Sequence, residues 1–191
     1  MRITGGQLRG RSVQCPEGLA VRPTASKVRQ AFFNILSERI DQASFLDLFA
    51  GSGLMGFEAA SRGAGLVTFV EESKKQALSI RKSIQLFEKE LTQASEGTFS
   101  AEVVISDVRK VWPHINGFSY NIVFADPPYK KKYGEKILEG IMSHNLLADG
   151  GLIVLEHMRD DPQSPGMNLS GLSRVDYREY GQTALSFFGR T

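Results

Sequence analysis

The residues best suited to chemistry lie in one stretch, Asn121-Ile122-Val123-Phe124-Ala125-Asp126-Pro127-Pro128-Tyr129, where an apolar run that reads as a buried strand ends in a carboxylate, two prolines and an aromatic ring. Pro127 has a fixed φ and no N–H, and Pro128 pushes Pro127 into an extended conformation, so the strand cannot run straight on into a helix. The Pro127 carbonyl is then left outside any regular ladder, beside the Asp126 carboxylate, with the Tyr129 ring next to both. Two acceptors and a stacking surface suit a flat group bearing an NH2, such as a nucleobase, because the acceptors take its two N–H protons while the ring covers its face. A strand that merely ends in a turn also uses Asp and Pro, so the surroundings decide between these readings.

The elements that position this stretch alternate between strand and helix. A strand over 45–49 leads through Ala50-Gly51-Ser52-Gly53 into a helix over about 54–62, which Gly63 can end in a left-handed cap. A strand over 66–70 reaches Glu71-Glu72, and a long amphipathic helix with Ala77, Ile80, Ile84 and Phe87 inward follows over about 73–91. Residues 92–100 read as a polar loop, 101–105 as a strand reaching Asp107, 120–125 as the strand that delivers Asp126, 134–147 as a helix and 152–156 as a strand. After a loop rich in turn formers from about 158 to 172, two strands over 174–180 and 183–188 are joined by Gly181-Gln182. The expected fold is α/β: a doubly wound, mostly parallel, seven-stranded Rossmann-like sheet closed by an antiparallel C-terminal hairpin.

Ligands of such sheets lie at the carboxyl ends of the strands, and every candidate residue falls at such an end. Gly51, Ser52 and Gly53 let a ligand approach the backbone after the first strand, and Glu71, twenty residues past Gly51, has the spacing of a carboxylate that takes two ribose hydroxyls. Asp107 can accept from an adenine amino group or cap the next helix. Gly51-x-Gly53-x-x-Gly56 also fits a dinucleotide fingerprint, which keeps a nicotinamide enzyme as a minor alternative. Against it, Asp47 puts a carboxylate near the glycine loop, where it would repel a pyrophosphate and hold an ammonium. The chain also lacks a second mononucleotide-binding half, and an Asp-Pro-Pro-Tyr has no evident use in hydride transfer. S-adenosylmethionine fits each position, with its ribose at Glu71, its adenine at Asp107, its methionine end near Asp47 and the glycine loop, and its sulfonium toward Asp126 and Tyr129.

The chain's 191 residues are expected to form one domain, with residues 1–40 as an extension on a core of 41–191. The opening residues, with glycines at turn positions, read as a small hairpin whose Arg9 and Arg11 share a face, followed by a helix over about 25–40 behind Thr24. Residues 1–29 hold six basic side chains and one acid, so +5 of charge sits there in a chain that sums to +2, which suits a bound polyanion. No apolar run is long enough to span a bilayer, the single Cys15 excludes an internal disulfide, and no Cys/His cluster has metal-site spacing. A cytoplasmic, monomeric protein with no metal and no membrane association is expected.

These residues resemble the class I S-adenosylmethionine-dependent methyltransferases, and more closely the bacterial small-subunit ribosomal RNA guanine-N2 methyltransferase family. The resemblance is carried by Ile3-x-Gly5-Gly6-x-x-Arg9-Gly10-Arg11, Arg22-Pro23-Thr24, Val28-Arg29, Leu46-Asp47-Leu48-Phe49-Ala50-Gly51-Ser52-Gly53, Asp126-Pro127-Pro128-Tyr129 and Tyr180-Gly181-x-Thr183-x-Leu185. It implies methylation of a guanine N2 amine in ribosomal RNA, presented within a small-subunit particle. Asp126, Pro127 and Tyr129 would act at the base, and Asp47, Gly51, Ser52, Gly53, Glu71, Asp107 and Asp126 would hold the cofactor. Arg9, Arg11, Arg22, Thr24, Arg29 and Lys130 would contact RNA. Adenine-N6 methylation, or an inactive nucleic-acid-binding module on the same fold, remain open alternatives at this level.

Overall fold

The computed structural model describes residues 1–14, 26–94, 99–128, 133–161, 168–169 and 171–191. Arg22, Thr24, Tyr129 and Lys130 lie outside the described residues. The strands are β1 (Ser44–Leu48), β2 (Leu66–Glu71), β3 (Ser100–Ile105), β4 (Tyr120–Ala125), β5 (Leu147–Met158), β6 (Asn168–Leu169), β7 (Leu172–Tyr180) and β8 (Thr183–Arg190). The α-helices are α1 (Ser26–Leu36), α2 (Leu54–Ser61), α3 (Lys74–Ala94) and α4 (Tyr133–Ser143). Among the described residues one sheet holds eight strands in the order β3-β2-β1-β4-β5-β8-β7-β6. The first five neighbours are parallel, and β8, β7 and β6 complete the sheet as antiparallel strands.

The expected architecture therefore stands, with local differences at element ends. The two-residue β6 adds an eighth strand inside the segment read as loop. Helix α3 continues through Thr92 to Ala94, beyond its expected stop, because no glycine or proline interrupts it there. Helix α4 stops at Ser143, and Asn145 takes a positive φ of 51°, so Leu147 already belongs to β5. The expected hairpin is present as an antiparallel bridge between Arg2 and Ser12. Arg9 sits in its turn, with its N–H donating to the Gly6 carbonyl, so Arg9 and Arg11 do not share a strand face.

Apolar side chains cover both faces of the sheet. On one side, Phe32 and Phe33 of α1, Phe57 of α2, and Ala77, Ile80 and Phe87 of α3 pack on Phe45, Val67, Phe69, Ile122 and Phe124. On the other, Ile137, Leu138 and Ile141 of α4 pack with Leu46, Leu48, Val70, Val123, Ala125 and Leu155. The strand order reverses between β1 and β4, the switch point that opens a crevice at the carboxyl ends of the strands.

Candidate active site

At that crevice the chain leaves β1 in a strained turn. Phe49 has φ of 64°, in the left-handed region that a bulky side chain rarely adopts, and Gly51 and Gly53 follow with φ of 57° and 78°. The Ala50 N–H donates to the Val70 carbonyl at 2.9 Å and the Gly53 N–H to the Ala50 carbonyl at 2.7 Å, which closes the loop and starts α2. Gly56 has a different task. A Cβ there would lie 2.2 Å from Phe69 Cε1, so this glycine seats α2 tightly against β2.

Gly53 offers no side chain to cap α2, and Asp47 of β1 supplies one. Its Oδ2 accepts from the Gly56 N–H at 3.0 Å. Asp47 is 2% exposed, and burial pushes its carboxyl up to about 7, opposed by the Gly56 bond and reinforced by the negative charges of Glu71 and Asp126. Glu71 ends β2 with one oxygen accepting from Gly51 N–H at 2.8 Å and the other from Ser73 N–H at 2.7 Å. Burial holds its pKa above the ordinary value against those two bonds, and Glu72 pushes the same way. Two buried acids, Asp47 and Glu71, are thus held by backbone N–H groups at the glycine loop and the start of α2, with the charge of Asp126 acting on Asp47.

Asp107 caps the turn after β3. It accepts from the Arg109 N–H at 2.8 Å and is clamped by the Arg109 guanidinium, which holds its carboxyl down at about 2. Of the two roles open to Asp107, capping is present in the structure, and the side chain also lines a pocket of about 120 Å³ with Phe49, Val70, Glu71, Glu72, Ser106, Val108, Pro128 and Tyr133. The Phe49 and Tyr133 rings stand 5.4 Å apart at 60°. Neither residue stood out in the sequence. The signals were an aromatic inside the glycine loop and another seven residues past Asp126, at the start of a helix. Asp126 and Pro127 follow β4 outside regular structure and are half-buried, Pro128 is exposed, and Ser52 is buried in the loop. A larger hollow of about 330 Å³, lined by Glu38, Arg39, Asp41, Gln42, Asn121 and Gly150, lies at the other end of the strands, by the start of β1 and β4. Asn121 is used there to accept from the Ser44 N–H at 2.9 Å, and no part of the strand-end constellation reaches it.

Arg29 requires correction as an RNA-contacting residue. It is 3% exposed, its Nε donates to Glu58 at 3.3 Å and its guanidinium also donates to the Arg2 carbonyl at 3.1 Å. Glu58, fully buried on α2, accepts in addition from the Thr4 N–H at 2.8 Å, the Thr4 hydroxyl at 2.7 Å and Arg62 at 3.0 and 2.9 Å. Ser61 joins the same knot, donating to the Gly5 carbonyl at 2.6 Å and accepting from the Leu8 N–H at 2.8 Å. No local pattern of residues announces this knot, because its partners come from three distant segments. Arg9 and Arg11 remain exposed, Arg11 in a surface ion pair with Glu90.

The strand order, the glycine loop and the carboxylates at successive strand ends define a class I S-adenosylmethionine-dependent methyltransferase. More narrowly, residues 1–189 match the family described as "Conserved hypothetical protein 95", and the chain belongs to that family. It is similar to Ribosomal RNA small subunit methyltransferase D of Haemophilus influenzae, 34% identical over 185 residues that cover 94% of this chain and 93% of the relative. To the protein of the same name in Escherichia coli K12 it is 35% identical over 156 residues, 82% of this chain and 74% of the relative. The solved structure of yhhF from Escherichia coli superposes with a TM-score of 0.81 at 33% identity, covering all of this chain and 97% of the other.

Proposed function

We propose that this protein transfers the methyl group of S-adenosylmethionine to the exocyclic N2 amine of a guanine in small-subunit ribosomal RNA. The observation that carries the reading is the placement of Asp126-Pro127 directly beyond β4, beside the switch point, with the Asp126 charge felt by Asp47 at the glycine loop. Asp126 thus lies where its charge reaches the glycine loop, and Pro128, two residues on, is exposed.

The residues fit the cofactor. Asp47 and Glu71 are buried carboxylates whose values are raised in part by one another or by neighbouring acids, and such a cluster favours a ligand that brings positive charge. When bound, S-adenosylmethionine supplies an electrophilic methyl on a sulfonium together with an ammonium. Asp47 and the glycine loop would hold the ammonium end, Glu71 the ribose hydroxyls, and Asp107 with the Phe49 and Tyr133 rings the adenine.

At the base, the Asp126 carboxylate and the Pro127 carbonyl would accept the two N–H bonds of the amine. The lone pair of an aromatic amine is delocalised into its ring, and two such hydrogen bonds favour a pyramidal nitrogen that returns the pair for attack on the methyl carbon. The nitrogen–carbon bond forms as the sulfur–carbon bond breaks, and the proton leaves the nitrogen to Asp126 or water. Positioning and electrostatics supply most of the acceleration. Tyr129 would stack on the extruded base. Arg9 and Arg11, with Arg22, Thr24 and Lys130, would contact the RNA.

Asp126→Ala is expected to lower transfer to ribosomal RNA by about 10³-fold or more while the cofactor Kd measured by calorimetry changes less than threefold. A variant that retains full transfer would refute the role of Asp126.

A further inference from the structure

We propose that the exposed face of α3 is a second part of the RNA footprint, in which Lys75, Lys82 and Lys89 carry the phosphate backbone between the N-terminal hairpin and the mouth of the crevice. This rests on the RNA substrate proposed above and adds a surface to it. Helix α3 starts just past Glu71 and Glu72, at the crevice, and, connecting the parallel neighbours β2 and β3, runs back toward the amino ends of the strands. Arg11 pairs with Glu90 near the far end of that helix, and the Ser79 hydroxyl donates to the Gln14 carbonyl at 3.1 Å. The segment leaving the hairpin therefore lies along one flank of α3, and the hairpin itself is pinned to Ser61 at the far end of α2.

The basic hairpin is thus remote from the chemistry. From Ser73 to Glu90 the helix spans about 25 Å at 1.5 Å per residue, and a polyanion that touches both Arg11 and the crevice must cover that length. Residues 75, 82 and 89 recur every two turns, so they form one line with roughly 10 Å between successive side chains. All three are exposed. The line lies about 70° around the helix from the flank marked by Ser79 and Glu90, so it borders the hairpin segment directly.

Charge supports the same path. Helix α3 carries five basic and two acidic side chains, net +3, inside residues 30–191, which sum to −3. Of its two acids, Glu90 is held by Arg11, and Glu88 falls on the opposite flank from the lysines. Leu78 and Leu86, 44% and 60% exposed, flank the line. Two leucines set among lysines are poor material for a protein–protein interface, whose centre is depleted in lysine, whereas a nucleic-acid backbone accepts apolar contact with its sugars between phosphate contacts.

The test uses the full chain and in vitro transcribed small-subunit ribosomal RNA, which carries no methyl groups, with binding measured across a salt series. The triple variant Lys75→Gln, Lys82→Gln, Lys89→Gln changes exposed positions to another good helix former. It is expected to flatten the slope of log affinity against log salt by about 2 to 3, since each lost phosphate contact removes roughly 0.7 to 0.9. Its cofactor Kd and thermal midpoint should match the parent's. A parent-like slope would overturn the proposal, and if Arg9→Gln with Arg11→Gln flattens the slope in the same series, the RNA reading itself survives. A parent that neither binds this RNA with salt dependence nor methylates it would overturn both. Loss of transfer to assembled particles by Leu78→Ser with Leu86→Ser, with a parent-like slope for the lysine variant, would assign the face to a protein partner and also overturn the proposal.

Discussion

Helix α2 has buried carboxylates at both ends, and the two ends are satisfied in opposite ways. At its far end, Glu58 is surrounded by two guanidiniums, the Thr4 hydroxyl and a backbone N–H. At its start, Asp47 and Glu71 accept from backbone N–H groups and feel other acids, and their pKa values rise. A buried acid whose countercharge comes from the chain is finished structure. One whose neighbours, among the described residues, are backbone N–H groups and like charge is prepared for a ligand that brings a cation.

The largest effect expected from this contrast is on stability. Glu58→Ala leaves Arg29 buried without its countercharge and frees the hairpin from α2, and it should destabilise the fold by about 3–5 kcal/mol in urea titration. A loss below about 1 kcal/mol would remove the distinction between the two ends.

Asp47→Asn should act the other way. Asparagine keeps an oxygen for the Gly56 N–H and removes the charge. Because the folded carboxyl sits at about 7, above its ordinary 3.8, the folded protein holds a proton that the unfolded chain releases. Stability in the parent therefore falls as pH rises from about 4 to above 7, by an amount on the order of 2–4 kcal/mol, and the variant should lose that slope and be the more stable protein at pH 8. Cofactor binding should show the complementary pattern. A cation favours the ionised carboxylate, so parent affinity should rise with pH through about 7, whereas Asp47→Asn should bind about tenfold to a hundredfold more weakly at pH 8. Calorimetry at pH 6 and 8 checks both, and equal pH dependence in parent and variant would make Asp47 only a helix cap.

This contrast also explains what could be read in the chain beforehand. Strand β4 and helix α2 were legible because Tyr120–Ala125 is a short apolar run ended by prolines, and Leu54–Ser61 lies between two glycines. The strand-end acids were legible because the fold rule assigns a place to any residue at a carboxyl end. Arg29 was misread because a lone arginine in a basic segment gives no sign that Glu58, 29 residues away on α2, will enclose it. The Phe49–Tyr133 wall depends on the left-handed backbone at Phe49, which no residue type there announces. The end of α3 and the start of β5 differ from expectation because residues 92–94 and 148–151 are polar or small and follow their neighbours rather than their own preference.

The most direct test is the identity of the methylated nucleoside. Incubation of under-methylated small-subunit particles and free ribosomal RNA with labelled S-adenosylmethionine, followed by digestion and mass analysis, is expected to place the label in N2-methylguanosine with the parent and to lose it with Asp126→Ala. Label in N6-methyladenosine, or in no nucleoside from either substrate, would contradict the account.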